Sequence, residues 1–141
     1  MAYELQKSLG FKINQAANKI NNKFTHLLNQ FDIAPEQRAT LEIIKYEKDV
    51  NQTKIAHILG KDKTTISRTL ATLEKKNFIL KKQIDKRTNL IELTKLGNEI
   101  LEKSATQVKE FRTTLFSNLE NEEVNVLVNL LEKVASNVEE L

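Results

Sequence analysis

With 141 residues, 40% of them hydrophobic, the chain is long enough for one domain with a true core, or one compact module with helical extensions. The absence of cysteine excludes disulfides, thiolate metal sites and cysteine redox sensing, and no run approaches the ~20 apolar residues of a membrane span. The net charge of +3 hides a division: residues 61–87 hold nine basic against three acidic side chains, while residues 98–141 hold four basic against nine glutamates. A basic middle suits a polyanion, and an acidic end points to a separate task. No apolar stretch ending in small residues opens the chain, so no secretory leader is expected and a cytoplasmic location fits.

One proline and three glycines leave room for long helices. Leu5, Leu9, Ile13, Ala16, Ile20, Phe24, Leu27, Leu28 and Phe31 recur at steps of three and four, which predicts one helix over 5–30. Such a helix runs ~39 Å, longer than a small core needs, so part of its stripe is expected to pack on a neighbour. Pro35 suits a first helical position and opens a second helix to Tyr46, with Leu41 and Ile44 inward. Ala34 is a poor cap, so packing is expected to hold that start. Asn51 caps a third helix, Gln52–Leu59, which buries Ile55, Ala56 and Leu59 and leaves through Gly60. A fourth helix starts near Asp62 with Ile66, Leu70 and Leu73 inward, and Asn77 takes the left-handed position that ends it. Strands from Phe78-Ile79-Leu80 and Asn89–Leu93 flank a charged tip, Asp85-Lys86-Arg87, and form a hairpin. Thr94 caps a helix striped by Leu96, Ile100, Leu101, Ala105, Val108, Phe111, Leu115 and Leu119. A last helix from about 121 carries Val124, Leu127, Leu131, Val134 and Val138. The fold class is mainly α with a small β-hairpin wing: a winged helix-turn-helix over 32–97, with dimerisation helices over 1–31 and 98–141.

Two short helices joined at a glycine, followed by a basic hairpin, have a direct physical use. A helix fits the major groove of B-DNA, and short side chains at its N-terminal end reach base edges. Here that end presents Lys61, Lys63, Thr64, Thr65, Ser67 and Arg68. Arg68 suits bidentate reading of guanine, whereas Lys61 and Lys63 suit phosphates, which position the protein but carry little sequence information. An arginine at a hairpin tip, Arg87, suits the concentrated negative potential of a narrow minor groove, with Lys86 on phosphate.

The run Lys61-Asp62-Lys63-Thr64-Thr65-Ile66-Ser67-Arg68, continued by Leu70 and Leu73 to Ile79, resembles the MarR family of bacterial transcriptional regulators. Asp85-Lys86-Arg87 followed by Leu90 to Gly97 extends the likeness in the same order and spacing. The resemblance implies a homodimer whose first and last two helices interlock above two winged-helix lobes. It further implies that Arg87 enters the minor groove while Asp85 holds the tip's geometry. Two departures stand out: Asn77 replaces a common glycine, and Ala34 replaces a common capping Thr or Ser. Two symmetric recognition helices reach major-groove faces about 34–36 Å apart, so the operator is expected to be a palindrome or pseudopalindrome, and repression is the favoured sign.

The resemblance also implies a small aromatic or phenolic effector, for which Phe11, His26, Phe31, Tyr46 and Phe111 are the candidate lining. Aromatics on a helical stripe are more often core, so this set carries the least weight. No cofactor and no metal site is expected: His26 and His57 are the only histidines, and no glycine-rich phosphate loop or His-x-x-x-His pair occurs. Nothing in the spacing suggests an enzyme. The alternative from another class is a winged-helix adaptor for proteins, whose binding need not weaken steeply with salt as DNA binding must.

Overall fold

The apolar stripe at the start of the chain does not form one uninterrupted helix. In the computed structural model, which describes residues 3–141, Ser8 is extended (φ −70°, ψ 129°) and separates α1 (Glu4–Lys7) from α2 (Leu9–Leu28). The hydroxyl of Ser8 accepts from the Phe11 N–H at 3.5 Å, so a residue that competes with helical backbone bonding becomes an N-cap. The helix expected over 5–30 is therefore broken at this point, and the first two positions of the expected 1–31 segment lie outside the described residues. A 3₁₀ turn (Asn29–Phe31) follows, and Asp32 ends it in the left-handed region at φ 52°.

Helix α3 (Pro35–Tyr46) begins with proline in its first turn. Ala34 has no side chain to cap it, but the start is not left to packing. Gln37 Oε1 accepts the Ala34 N–H at 3.1 Å, the return half of a capping box, and Lys76 Nζ donates to the same oxygen at 3.3 Å. Asn51 caps α4 (Gln52–Leu59) through the Lys54 N–H at 2.8 Å, and Gly60 leaves the helix at φ 65°. Asp62 caps α5 (Lys63–Lys75) through the Thr65 N–H at 2.7 Å. Beyond α5, Asn77 is left-handed at φ 64°. The N–H groups of Asn77 and Phe78 return to the carbonyls of Glu74 and Leu73 at 3.0 Å each, which satisfies the helix end.

Strands β1 (Ile79–Gln83) and β2 (Asn89–Leu93) pair antiparallel, with Ile79 opposite Leu93 and Gln83 opposite Asn89. The Ile91 N–H also donates to Val50 O at 2.8 Å, which ties the approach to α4 onto the free side of β2. Helix α6 (Lys95–Thr114) is capped by Thr94, whose hydroxyl accepts the Gly97 N–H at 3.0 Å and donates to Asn77 O at 2.7 Å. Helix α7 (Asn121–Glu139) follows, with the Glu120 N–H held by Glu123 Oε1 at 2.9 Å.

The chain forms two compact units, one through Thr106 and one from Gln107 to Leu141. In the first, Leu41 and Ile44 of α3, Ile55 and Ala56 of α4, Ile66, Leu70 and Leu73 of α5, and Ile79 and Ile91 of the hairpin are buried as their spacing predicts. Leu59 differs: it is only half-buried and lines a cavity rather than the core. Arg38 is buried too, and each of its three guanidinium nitrogens has a partner: Nε donates to Ser104 Oγ at 2.8 Å, Nη1 pairs with Glu42 at 2.7 Å, and Nη2 reaches Leu101 O at 3.3 Å. This network joins α3 to the first half of α6, and removing the Glu42 carboxylate would leave the buried guanidinium without this counter-charge. In the second unit α7 buries none of its residues, and Leu127, Leu131 and Val138 of its stripe are exposed.

Gly97 sits where any side chain would strike backbone. A Cβ there would lie 2.2 Å from Phe78 O, the carbonyl that also accepts the Thr94 N–H. Gly97→Ala is therefore expected to lower the unfolding free energy by about 1–3 kcal/mol or more, read by denaturant titration. Unchanged stability would mean that α6 shifts away from β1 at no cost.

Candidate nucleic-acid interface

Because Ile66, Leu70 and Leu73 must face the core, the opposite side of α5 must face solvent. Thr64, Ser67 and Arg68, at i, i+3 and i+4, form one exposed row, and Lys61 and Lys63 are exposed at the helix entrance. Thr65 differs from these neighbours. It is half-buried, its N–H is spent on the Asp62 cap, and its hydroxyl also engages that carboxylate. These bonds, followed by the nearby charges of Arg68 and Lys61, hold the Asp62 carboxyl below its ordinary pKa. The cap is thus anionic at neutral pH, where a carboxylate complements the positive end of the helix.

Two contacts that chain spacing could not reveal orient this entrance. Gln52 Nε2, at the first turn of α4, donates to Lys63 O at 2.9 Å, pinning the two helices of the helix-turn-helix to each other. Glu36 of α3 accepts from the Thr69 hydroxyl at 2.8 Å, and its other oxygen lies 3.8 Å from Lys61 Nζ. Gln52 is 11 residues from its partner and Thr69 is 33 from Glu36, so no local motif signals either pair.

The wing belongs to the same unit. Its tip is a tight turn in which the Ile84 N–H donates to Thr88 O at 2.9 Å. Asp85 Oδ1 accepts from the N–H groups of both Arg87 and Thr88, at 2.8 and 2.9 Å, the side-chain-to-backbone turn for which aspartate is favoured. Asp85 thus holds the tip through its backbone, while the side chains of Lys86 and Arg87 remain exposed. Along the strands, Lys81 approaches Glu74 and Lys82 approaches Glu92, both at 4.0 Å, pairs too exposed to add much stability.

Of the aromatic candidates, Phe11, His26, Phe31 and Tyr46 lie in the first unit and Phe111 in the second. Tyr46 is 75% exposed at the end of α3, His26 is exposed, and Phe11, Phe31 and Phe111 are half-buried. A cavity of about 430 Å³ lies instead among Phe24 of α2, Ala34, Pro35 and Ala39 at the start of α3, and Leu59 and Lys61. Among the described residues, no group of three or more His, Cys, Asp or Glu side chains could hold a metal ion, and no helix is long and apolar enough to cross a membrane.

Four similarities place this geometry among known proteins. A model of the MarR family matches residues 33–88. The chain is 31% identical over 124 residues to an uncharacterized HTH-type transcriptional regulator of Bacillus cereus, covering 87% of this chain and 82% of that one. Among solved structures, it superposes on a MarR/EmrR family transcriptional regulator from Acinetobacter sp. ADP1 with a TM-score of 0.92, at 30% identity over 99% of this chain and 100% of that one. It also superposes on MepR of S. aureus, solved as a complex with DNA, with a TM-score of 0.83, at 27% identity over 93% and 96% of the two chains.

The wing tip carries a pH signature. The Arg87 N–H, then Thr88, hold the Asp85 carboxyl below its ordinary pKa. A depressed folded pKa means that the ordered tip is fully favoured above the ordinary carboxylate value and is lost as pH falls through the lowered one. An NMR titration is expected to show Asp85 protonating at lower pH than in an unstructured peptide, with the Arg87 and Thr88 amides moving at the same midpoint. An ordinary Asp85 midpoint with unmoved amides would contradict this.

Proposed function

The chain belongs to the MarR family of transcriptional regulators, and on that premise we propose that it binds a palindromic or pseudopalindromic operator as a homodimer and represses the genes beside it. In this reading α5 enters the major groove: Arg68 reads a guanine, Thr64, Thr65 and Ser67 meet bases or phosphates, and Lys61 and Lys63 meet phosphates. The wing enters the minor groove, with Arg87 inserted, Lys86 on phosphate and Asp85 holding the turn. The observation that carries the proposal is the exposed row Thr64–Ser67–Arg68, displayed by the buried side of its own helix, in the same unit as the exposed Arg87.

The segments 1–31 and 98–141 are assigned to dimerisation. Leu5, Leu9 and Ile20 in the first, and Leu127, Leu131 and Val138 in the second, are exposed apolar residues on helical stripes, more than a monomer usually leaves uncovered. A bound dimer lying across a promoter obstructs polymerase, which favours repression. A cytoplasmic location accompanies that role. A small aromatic or phenolic anion is the proposed effector. The cavity of about 430 Å³ supports this, being of small-molecule size with a partly apolar wall, and an anionic group there would compete with Glu36 for Lys61. Phe11, His26, Phe31, Tyr46 and Phe111 are the further aromatic positions to test for ligand contact.

The experiment is equilibrium binding to duplexes of varied sequence across a range of salt. Affinity is expected to fall with a log–log slope of about 0.9 per phosphate contact. Arg87→Ala is expected to weaken binding across all sequences. Arg68→Ala is expected to lose about 1–3 kcal/mol of discrimination at a single base pair of each half-site. A flat salt dependence would instead indicate a protein-binding adaptor, and an unchanged sequence preference in Arg68→Ala would remove Arg68 as a base reader.

A further inference from the structure

Beyond the Gln52 contact at its entrance, the recognition helix is tied by several polar contacts to a short segment, residues 32–37, where the 3₁₀ turn after α2 passes into α3. Thr69 Oγ1 donates to Glu36 Oε1 at 2.8 Å from the middle of α5. Lys76 Nζ, at its C-terminal end, donates to Asp32 O at 2.8 Å and to Gln37 Oε1 at 3.3 Å. Lys61, just ahead of the helix, has its ammonium 3.8 Å from Glu36 Oε2. Glu36 alone therefore meets α5 and its entrance with both carboxylate oxygens.

We propose that Glu36 is a specificity-determining positioning residue, which sets the roll of the recognition helix through the Thr69 hydroxyl. This rests on the DNA-reading role assigned to α5. Thr69 follows Arg68 directly, so its side chain points along the flank of the helix, about 100° round from the base-reading arginine. The apolar face alone leaves the roll loosely defined, because aliphatic contacts are not directional. A hydrogen bond to a carboxylate is directional and stronger than a neutral one. With side-chain heads about 5–6 Å from the axis, a roll of about 10° displaces the Arg68 guanidinium by about 1 Å. Bidentate pairing with a base edge tolerates about half of that.

The tie can also be cut without leaving a buried donor stranded. Thr69 Oγ1 lies 3.2 Å from Thr65 O, so its hydroxyl can fall back on its own helix when Glu36 is removed. The stability cost is then small, and the effect on reading is separable from folding.

The test compares wild type, Glu36→Ala, Glu36→Gln and Thr69→Val. Each is titrated with a duplex selected by the wild-type protein from a random library, and with the same duplex carrying one exchanged base pair per half-site. The readout is the ratio of the two affinities, which cancels the general gain expected from deleting a negative charge near phosphates. Glu36→Ala and Thr69→Val are expected to lower the ratio about tenfold with Tm close to wild type, while mixed-sequence binding rises in Glu36→Ala and stays at wild type in Thr69→Val. Glu36→Gln, which keeps an oxygen for Thr69, is expected to retain it. If Glu36→Ala does not fold, Thr69→Val reads the same tie. Wild-type ratios in Glu36→Ala or Thr69→Val would overturn the proposal, as would a loss in Glu36→Gln equal to that in Glu36→Ala. A wild-type protein with no preferred duplex would overturn the DNA-reading role itself, a distinguishable failure.

Discussion

The burial of one side of α5 is the constraint on which the rest of the lobe depends. Ile66, Leu70 and Leu73 are almost inaccessible to solvent, and α3, α4 and the hairpin supply the apolar surface that covers them. Each such side chain contributes about 1.5–3 kcal/mol by leaving water, so no other face of the helix can compete for the inward position. Thr64, Ser67 and Arg68 are exposed as a consequence, and their display needs no interaction of its own. The lobe is therefore a packing solution whose by-product is a polar helical face held clear of the protein.

Hydrogen bonds then fix what packing leaves loose. Asp62 and Asn51 close the N-termini of α5 and α4, and Gln52 locks the two helices together at their entrances. Thr94 does double duty, capping α6 and donating its hydroxyl to Asn77 O. At the wing, a single carboxylate oxygen orders the turn, which spends Asp85 on backbone and leaves Lys86 and Arg87 free to meet a polyanion. Exposed pairs such as Lys81–Glu74 and Lys82–Glu92 contribute little by comparison. What matters electrostatically is instead the excess of positive over negative side chains along residues 61–87.

Local signals were legible in the sequence, and distant ones were not. The bounds of α3 and α4, the caps at Asn51 and Thr94, the left-handed Asn77 and the hairpin about Asp85–Arg87 all follow from residues within a few positions of one another. The break at Ser8 escaped the periodicity, because the apolar stripe runs through it and one serine hydroxyl decides the matter. Ala34 looked uncapped because its partner, Gln37, works from inside the helix with help from Lys76, 39 residues further on. The need for Gly97 follows only from the fold, which brings Phe78 O against it. Glu36, Thr69 and Gln52 carried no signal, since their meaning comes only from tertiary proximity. Groove chemistry suggested the role of Arg68, and the family resemblance added to that of Arg87, while chain geometry explains how both come to be exposed.

The apolar stripes of α2 and α7 extend the same logic beyond one chain. A helix that leaves Leu127, Leu131 and Val138 in water offers an apolar surface to a partner, and two symmetry-related copies, as proposed, would also double the recognition face. The most direct test of a symmetric, sequence-reading regulator is selection of bound duplexes from a random library by the purified protein, followed by sequencing. The account predicts an enriched inverted repeat with half-sites about one helical turn apart. Absence of enrichment by folded protein at low salt, or enrichment of a single unrepeated half-site, would contradict it.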